Sequence, residues 1–187
     1  MTEEAGSRQG AVFLDRDGTV SEEVGYMYDV SLYRVFPWTG DAIRRLNESG
    51  MKVALATNQS GIERGYFRHE MIERVHDRLR SELARSQATL DAAYFCPHHP
   101  NNTCLCRKPR PGMLLQGQSE LGIDLECSYM VGDRYGDVHT GKAAGVTTVL
   151  VLTGNGREEH QCHKNETVQP DLVAEDLAEA VDLILKR

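Results

Sequence analysis

The sequence lacks a long apolar run, a surplus of positive charge and a secretory leader. Its apolar runs, such as residues 11–14 and 149–152, are only a few residues long, whereas a membrane-spanning helix needs about 20. Lys and Arg number 21 against 28 Asp and Glu, which gives a formal net charge of −7. A broad basic face for nucleic acid or anionic membranes is therefore not expected. The N-terminus has no basic and apolar segment typical of a signal peptide, so we expect a cytoplasmic protein.

The composition is that of a folded protein. Hydrophobic residues make up 40% and charged residues 26% of the 187 residues. No internal repeat and no linker rich in Gly, Ser or Pro divides the chain. The length and this continuity predict a single domain over residues 1–187.

Short apolar runs alternate with amphipathic segments along the chain. The pattern predicts strands over residues 11–14, 52–56, 92–95, 128–131, 147–152 and 172–173. It predicts helices over residues 40–48, 68–86, 111–121, 137–144 and 177–186, and a loop over the polar residues 154–170. The βα rhythm indicates an α/β fold with three layers, in which a central parallel sheet has helices on both faces.

Polar side chains follow the predicted strands at several points. Asp15 and Asp17 follow the first strand, Thr57 the second, Lys108 the loop after the third, and Asp133 the fourth. Ligands of open α/β sheets bind at the carboxyl ends of the strands. Any one of these carboxylates could be only a turn former or a helix cap. As a set, they suit a magnesium-dependent phosphoryl-transfer site.

Each residue of this set has a chemical role in such a reaction. The carboxylates of Asp15 and Asp133 and the backbone carbonyl of Asp17 offer Mg²⁺ the hard oxygen ligands it prefers. Asp15 is the candidate nucleophile that forms an aspartyl phosphate, and Asp17 is the candidate general acid and base. Thr57 and Lys108 would bind the phosphate oxygens.

Three of the five cysteines lie in one short window. Cys96, Cys104 and Cys106 surround His98 and His99. Thiolates with one imidazole are typical ligands of tetrahedral zinc, and a site filled by four protein ligands is structural. The alternative is a set of reduced cysteines in a surface loop.

The strand-end residues resemble the four motifs of the haloacid dehalogenase (HAD) superfamily of phosphatases. Asp15-x-Asp17-x-Thr19 is similar to its first motif, Thr57 to its second, Lys108 to its third, and Gly132-Asp133-x-x-x-Asp137 to its fourth. The resemblance implies a Rossmann-like HAD fold without a large cap domain and with a zinc-binding loop inserted at about residues 96–106. It also implies His98 as the fourth zinc ligand.

Two further segments narrow the resemblance to one phosphatase family. Cys-Pro-His-His-Pro and Cys-Arg-Lys-Pro-x-Pro-Gly-Met are similar to segments of heptose-bisphosphate phosphatases. The resemblance implies an enzyme that removes the C7 phosphate of D-glycero-D-manno-heptose 1,7-bisphosphate in the biosynthesis of nucleotide-activated heptose for lipopolysaccharide. We also expect a monomer. The substrate-binding residues it implies are Glu23, Val24, Gly25, Tyr26, Asn58, Gln59, Ser60, Arg107 and Arg134.

Three alternatives stand beside this interpretation. Histidinol-phosphate phosphatases share the fold, the Asp-Arg-Asp-Gly-Thr segment and a zinc loop. A noncatalytic adaptor stabilised by zinc would not need the carboxylates, and a nucleic-acid 3′-phosphatase is disfavoured by the net charge. Arg64 is interpreted as a solvated charge, and Asp137 as a brace for the metal site or a helix cap.

Overall fold

The computed structural model describes residues 9–26 and 28–187, and its centre is a parallel sheet. The strands are β1 (Ala11–Leu14), β2 (Lys52–Asn58), β3 (Ala92–Cys96), β4 (Tyr129–Gly132), β5 (Thr147–Val151) and β6 (Leu172–Ala174). They form a six-stranded sheet in the order β3-β2-β1-β4-β5-β6, and all the neighbouring strands are parallel. The predicted strands are confirmed, with ends that differ by no more than two residues.

Helices cover both faces of the sheet. They are α1 (Thr39–Glu48), α2 (His69–Arg85), α3 (Gly112–Leu121), α4 (Tyr135–Ala144), α5 (Gly156–His163) and α6 (Leu177–Ile184). Val12 and Leu14 of β1 pack with residues of α1, α2 and α6, whereas Ala11 and Phe13 pack with residues of α3. Successive side chains of a strand point to opposite faces, so the uninterrupted apolar run of β1 is buried on both. The predicted three-layer α/β fold is confirmed.

Helix α5 corrects the prediction of a loop over residues 154–170. The helix is polar, and Gly156 is its buried residue, so it carries no apolar periodicity. Polar contacts hold it to α4 instead. The backbone N–H of Tyr135 donates to Glu159 Oε2 at 2.8 Å, and the His163 ring stacks on the Tyr135 ring with a centroid distance of 4.4 Å.

The strand order gives the location of a ligand site. Strand β1 lies between β2 and β4, so the chain moves in one direction along the sheet from β1 to β3 and in the other from β4 to β6. Ligands bind at such a switch point, outside the carboxyl ends of the strands. None of the helices in the described part of the chain is long and apolar enough to cross a membrane.

Candidate active site

A cavity of about 370 Å³ lies at the carboxyl ends of β1 and β2. Of the predicted catalytic and substrate-binding residues, those that line it are Asp15, Asp17, Glu23, Gly25, Tyr26, Thr57, Asn58, Gln59, Ser60, Arg107, Lys108 and Arg134. Val24 is not among the lining residues, and its side chain packs against the apolar core instead. The cavity is also lined by Asp137 and by Arg64, which is exposed, as its interpretation as a solvated charge expects.

Three buried carboxylates meet beside this cavity. One oxygen of each of Asp15, Asp133 and Asp137 lies within 4.8 Å of the others. The Lys108 side chain, which is 4% exposed, places its Nζ 2.9 Å from Asp15 Oδ1 and 2.5 Å from Asp137 Oδ1. Asp15 Oδ1 also accepts the backbone N–H of Arg16 at 2.7 Å. One ammonium group thus joins two of the three carboxylates.

Asp133 is the least compensated carboxylate of the three. Its Oδ2 accepts hydrogen bonds from the backbone N–H of Asn155 at 2.8 Å and from Asn155 Nδ2 at 3.2 Å. Its Oδ1 is buried and has no hydrogen-bond partner among the described residues. Burial, with the charges of Asp15 and Asp137, raises the pKa of Asp133 to about 7. This set of hard oxygen donors with one buried, unpartnered oxygen fits a divalent cation.

Gly18 is required in the turn that follows β1, where the backbone passes close to the Asp133 side chain. Its φ is +83°, a conformation that side chains rarely adopt, and a Cβ at this position would lie 2.2 Å from Asp133 Oδ2. Thr153 Oγ1 donates to the Gly18 carbonyl at 2.6 Å and so ties the turn to the chain after β5.

The side chain of Asp17 lies apart from the three carboxylates. Its Oδ1 accepts from Arg16 Nε at 3.0 Å, and its Oδ2 accepts from Arg16 Nη2 at 2.7 Å and from Gln59 Nε2 at 3.0 Å. The sequence predicts that Asp17 contacts the metal through its backbone carbonyl. That contact stays a prediction. Asp137, which the sequence assigns only as a brace or cap, supplies the third clustered carboxylate. It also caps α4 by accepting the backbone N–H of Arg134 at 3.1 Å.

Asn58 holds the backbone of Lys108. Its Oδ1 accepts the Lys108 N–H at 3.1 Å, and its Nδ2 donates to the Lys108 carbonyl at 3.1 Å. The resemblance implies Asn58 as a substrate-binding residue. In the structure, this pair of hydrogen bonds fixes the segment that carries Lys108 against the end of β2.

Three arginines surround the outer part of the cavity. Arg64, Arg107 and Arg134 line it together with Glu23. Arg134 Nη2 lies 3.4 Å from Glu23 Oε2, and Glu23 Oε1 accepts the backbone N–H of Gly25 at 2.8 Å. With Lys108, the cavity therefore holds more cationic side chains than a single phosphate needs.

The Cys/His window forms a compact cluster. Ligand atoms of Cys96, His98, Cys104 and Cys106 all lie within 4.8 Å of one another. Cys96 Sγ is 3.6 Å from Cys104 Sγ, and His98 Nδ1 is 3.4 Å from Cys96 Sγ and 3.3 Å from Cys106 Sγ. Zinc–sulfur bonds of about 2.3 Å in a tetrahedron place two sulfurs about 3.8 Å apart, so the cluster has the dimensions of a zinc site.

The cluster is joined to the cavity through Arg107. Arg107 Nη1 donates to the carbonyl of His98 at 3.2 Å. His99 is not part of the cluster, and its backbone N–H donates to Glu63. The four residues predicted from the sequence and its resemblance are thus the four that the fold brings together.

Comparisons with known proteins agree with this geometry. The HAD-hydrolase-like family model matches residues 105–180. A Yersinia pestis relative named D-glycero-beta-D-manno-heptose-1,7-bisphosphate 7-phosphatase is 47% identical over 152 residues, which are 77% of this chain and 81% of the relative. A Thermosynechococcus vestitus relative named D-glycero-D-manno-heptose-1,7-bisphosphate 7-phosphatase is 40% identical over 185 residues, which are 93% of this chain and 94% of the relative.

A solved structure is similar over almost the whole chain. It is the crystal structure of D,D-heptose 1,7-bisphosphate phosphatase from B. bronchiseptica in complex with magnesium and phosphate. The TM-score is 0.87 at 34% sequence identity, and the match covers 95% of this chain and 99% of that chain. With its buried carboxylates, its lysine and its Cys/His loop in one fold, the chain belongs to the heptose-1,7-bisphosphate 7-phosphatase family of HAD-like hydrolases.

Proposed function

We propose that this chain is a Mg²⁺-dependent phosphatase that removes the C7 phosphate of D-glycero-D-manno-heptose 1,7-bisphosphate. The observation that carries the proposal is the contact of Lys108 Nζ with the buried carboxylate of Asp15 beside the arginine-lined cavity. Relatives that are 40% and 47% identical are named for this substrate, which supports the choice of sugar bisphosphate.

The metal would be held by the carboxylates of Asp15 and Asp133 and the backbone carbonyl of Asp17. Asp137 would brace the site through Lys108, which it contacts at 2.5 Å. When bound, Mg²⁺ reduces the repulsion between the carboxylates and an anionic phosphate ester. The unpartnered Oδ1 of Asp133 supports this ligand set.

The chemistry then proceeds in two displacements at phosphorus. In the first, an Asp15 carboxylate oxygen bonds to phosphorus, the bond between phosphorus and the C7 oxygen breaks, and Asp17 gives its proton to that oxygen. In the second, a water oxygen bonds to phosphorus, Asp17 takes a proton from the water, and the Asp15–phosphorus bond breaks. Thr57 and Lys108 bind the non-bridging oxygens throughout. The products are inorganic phosphate and a heptose 1-phosphate.

The remaining cations suit the second phosphate of a bisphosphate. Lys108 binds the reacting group, while Arg107 and Arg134, with Arg64 at the cavity, are available for the phosphate at C1. Residues 23–26 and the polar side chains of Gln59 and Ser60 border the space left for the sugar. A substrate with one phosphate would leave arginines of this cavity without an anion.

The Cys/His cluster would hold a structural Zn²⁺. Its four side chains fill a tetrahedral site, so no position is open for an activated water. The ion would fix the loop that ends at Arg107 and Lys108. That the protein is a cytoplasmic monomer, and that its partners are limited to a small-molecule substrate, stay predictions.

A phosphate-release panel tests the proposed substrate. It compares kcat/KM for both anomers of heptose 1,7-bisphosphate, histidinol phosphate and fructose 1,6-bisphosphate. We expect the highest value for a heptose bisphosphate. A preference for histidinol phosphate would reject the substrate assignment, and the absence of Mg²⁺-dependent phosphate release would favour the noncatalytic adaptor.

Replacing Asn155 by alanine should weaken Mg²⁺ binding. The change removes the Asn155 Nδ2 donor, 3.2 Å from Asp133 Oδ2, but keeps the backbone N–H at 2.8 Å, so we expect a loss of metal affinity of about 10-fold, at the lower end of the range for such supports. The Mg²⁺ concentration for half-maximal activity should rise by about that factor, with kcat largely recovered at saturating Mg²⁺. Asn165→Ala, at an exposed position of the next loop, is the matched control. An unchanged Mg²⁺ dependence in Asn155→Ala would contradict this role.

The stability of the metal-free protein should fall from pH 6 to pH 8. The pKa of Asp133 is raised in the folded state to about 7, so the folded protein binds its proton more tightly than the unfolded chain. The stabilisation is present at low pH and is lost as the pH rises through about 7. Added Mg²⁺ should therefore raise the melting temperature more at pH 8 than at pH 6, with zinc content checked at both. Equal shifts at the two pH values would contradict the account.

A further inference from the structure

We propose that Arg16 and Gln59 form a clamp that holds the Asp17 carboxylate in the orientation that proton transfer requires. The inference rests on the proposed function, because it takes Asp17 as the group that protonates the leaving oxygen. Arg16 and Gln59 are positioning residues here, since each acts through Asp17.

The clamp is a two-point ion pair with one further donor. Arg16 presents two parallel N–H groups to Asp17, from Nε to Oδ1 at 3.0 Å and from Nη2 to Oδ2 at 2.7 Å. Gln59 Nε2 donates to Asp17 Oδ2 at 3.0 Å and lies 3.0 Å from Thr57 Oγ1. The guanidinium fork fixes the plane of the carboxylate, and Gln59 ties it to the end of β2.

Arg16 is buried in a way that a merely structural residue does not require. Its side chain is 1% exposed, and Asp17 is its ion-pair partner. An unpaired guanidinium would be costly to bury, whereas an apolar side chain could fill this space. On its other side, Arg16 Cζ lies 5.9 Å from the centroid of the neutral Tyr33 ring, and Arg16 Nη1 has no hydrogen-bond partner among the described residues. The buried positive charge of Arg16 is therefore compensated by its two hydrogen bonds to Asp17.

The two oxygens of Asp17 are unequally occupied. Oδ2 accepts two hydrogen bonds, one from Arg16 and one from Gln59, whereas Oδ1 accepts one, from Arg16. Together these three hydrogen bonds fix the orientation of the Asp17 carboxylate beside the cavity that Asp17 lines.

A comparison of leaving groups separates positioning from folding. The alkoxide that leaves heptose bisphosphate needs a proton, whereas the phenolate that leaves p-nitrophenyl phosphate does not. Arg16→Lys keeps the charge but loses the fork. We expect its kcat/KM to fall by about 100-fold or more for heptose bisphosphate and by less than about 5-fold for p-nitrophenyl phosphate, since general acid catalysis contributes about 100- to 10,000-fold. Gln59→Met should show a smaller split in the same direction.

Two controls make the result decisive. Tyr33→Phe alters the surroundings of Arg16 without touching the fork and should leave both kcat/KM values unchanged. In an Asp17→Asn background, Arg16→Lys should add no further loss, because its effect passes through Asp17. Equal losses for both substrates in Arg16→Lys, or a full additional loss in the Asp17→Asn background, would overturn the proposal.

Two variations keep the test independent of folding and of the proposed substrate. If Arg16→Lys does not fold, Gln59→Met decides on phenyl phosphate and p-nitrophenyl phosphate, neither of which carries a sugar that Gln59 could contact: equal losses of kcat/KM for the two would overturn the clamp. If the wild-type chain does not hydrolyse heptose bisphosphate, the proposed function fails. The clamp is then tested with phenyl phosphate, whose phenolate is more basic, against p-nitrophenyl phosphate, and the same split is expected.

Discussion

Asp15→Asn is expected to abolish phosphate release from heptose bisphosphate, with kcat lowered by at least ~10⁴-fold, as for other enzymes that lose their nucleophile. The asparagine amide has nearly the shape of the carboxylate but is not a nucleophile toward phosphorus. Lys108 Nζ would still have Asp137 Oδ1 as a partner at 2.5 Å, so the buried ammonium stays paired and the fold should persist. Steady-state phosphate release measures the loss.

Two controls show that the loss is chemical. Zinc content and melting temperature of Asp15→Asn should remain close to those of the wild type. Asp77→Asn removes an exposed carboxylate of α2, which pairs with Arg80 at 2.9 Å and does not line the cavity, and should leave kcat unchanged. Activity of Asp15→Asn near that of the wild type would reject Asp15 as the nucleophile.

Cys104→Ser is expected to lose zinc and stability before it affects the chemistry. The change removes one of four sulfur and nitrogen ligands whose atoms lie within 4.8 Å of one another. Metal binding to such a site contributes directly to folding, and a loss of about 3 kcal/mol corresponds to a fall of about 6–12 °C in melting temperature for a chain of this size. Residual kcat should be closer to wild type than that of Asp15→Asn, since zinc acts by holding the loop before Arg107 and Lys108.

The matched control is Cys127→Ser. Cys127 is an exposed free cysteine outside the cluster, so its replacement should change neither zinc content nor melting temperature. Metal analysis by mass spectrometry of the purified variants gives the zinc content. One zinc retained per Cys104→Ser chain would contradict the assignment of this ligand.

The sheet and the order of the site residues could be predicted because they depend on local pattern. Strand β1 is an unbroken apolar run that is buried on both faces, and such runs are typical of parallel strands. The carboxyl ends of parallel strands meet at one edge of the sheet. The residues that follow β1, β2 and β4 were therefore expected to lie close together. The Cys/His cluster could also be predicted from local pattern, because its four ligands lie close together in the sequence.

Helix α5 could not be predicted, because its stability does not come from an apolar face. Its contacts to Tyr135 are the hydrogen bond that Glu159 accepts from the Tyr135 backbone N–H and the stacked His163 ring, and neither leaves a periodic pattern. The segment nevertheless matters to the site, since Asn155, just before this helix, holds Asp133. The polar stretch directly after β5 was the available signal.

The partners of individual side chains also lie beyond sequence patterns. The resemblance implies that Asn58 binds substrate, but its side-chain amide forms two hydrogen bonds with the backbone of Lys108, 50 residues later in the chain. Arg16 sits between two carboxylates in sequence, which does not reveal that its side chain is buried and pairs with Asp17. Such choices depend on which neighbours the fold supplies.

Trapping the covalent intermediate tests the central claim most directly. Wild-type protein is mixed with heptose 1,7-bisphosphate and Mg²⁺ for less than one turnover, quenched, treated with borohydride and digested for mass spectrometry. An aspartyl phosphate is reduced to homoserine under these conditions, so we predict homoserine at position 15 and unmodified aspartate at positions 17, 133 and 137. Homoserine at any of those three positions, with Asp15 intact, would contradict the account.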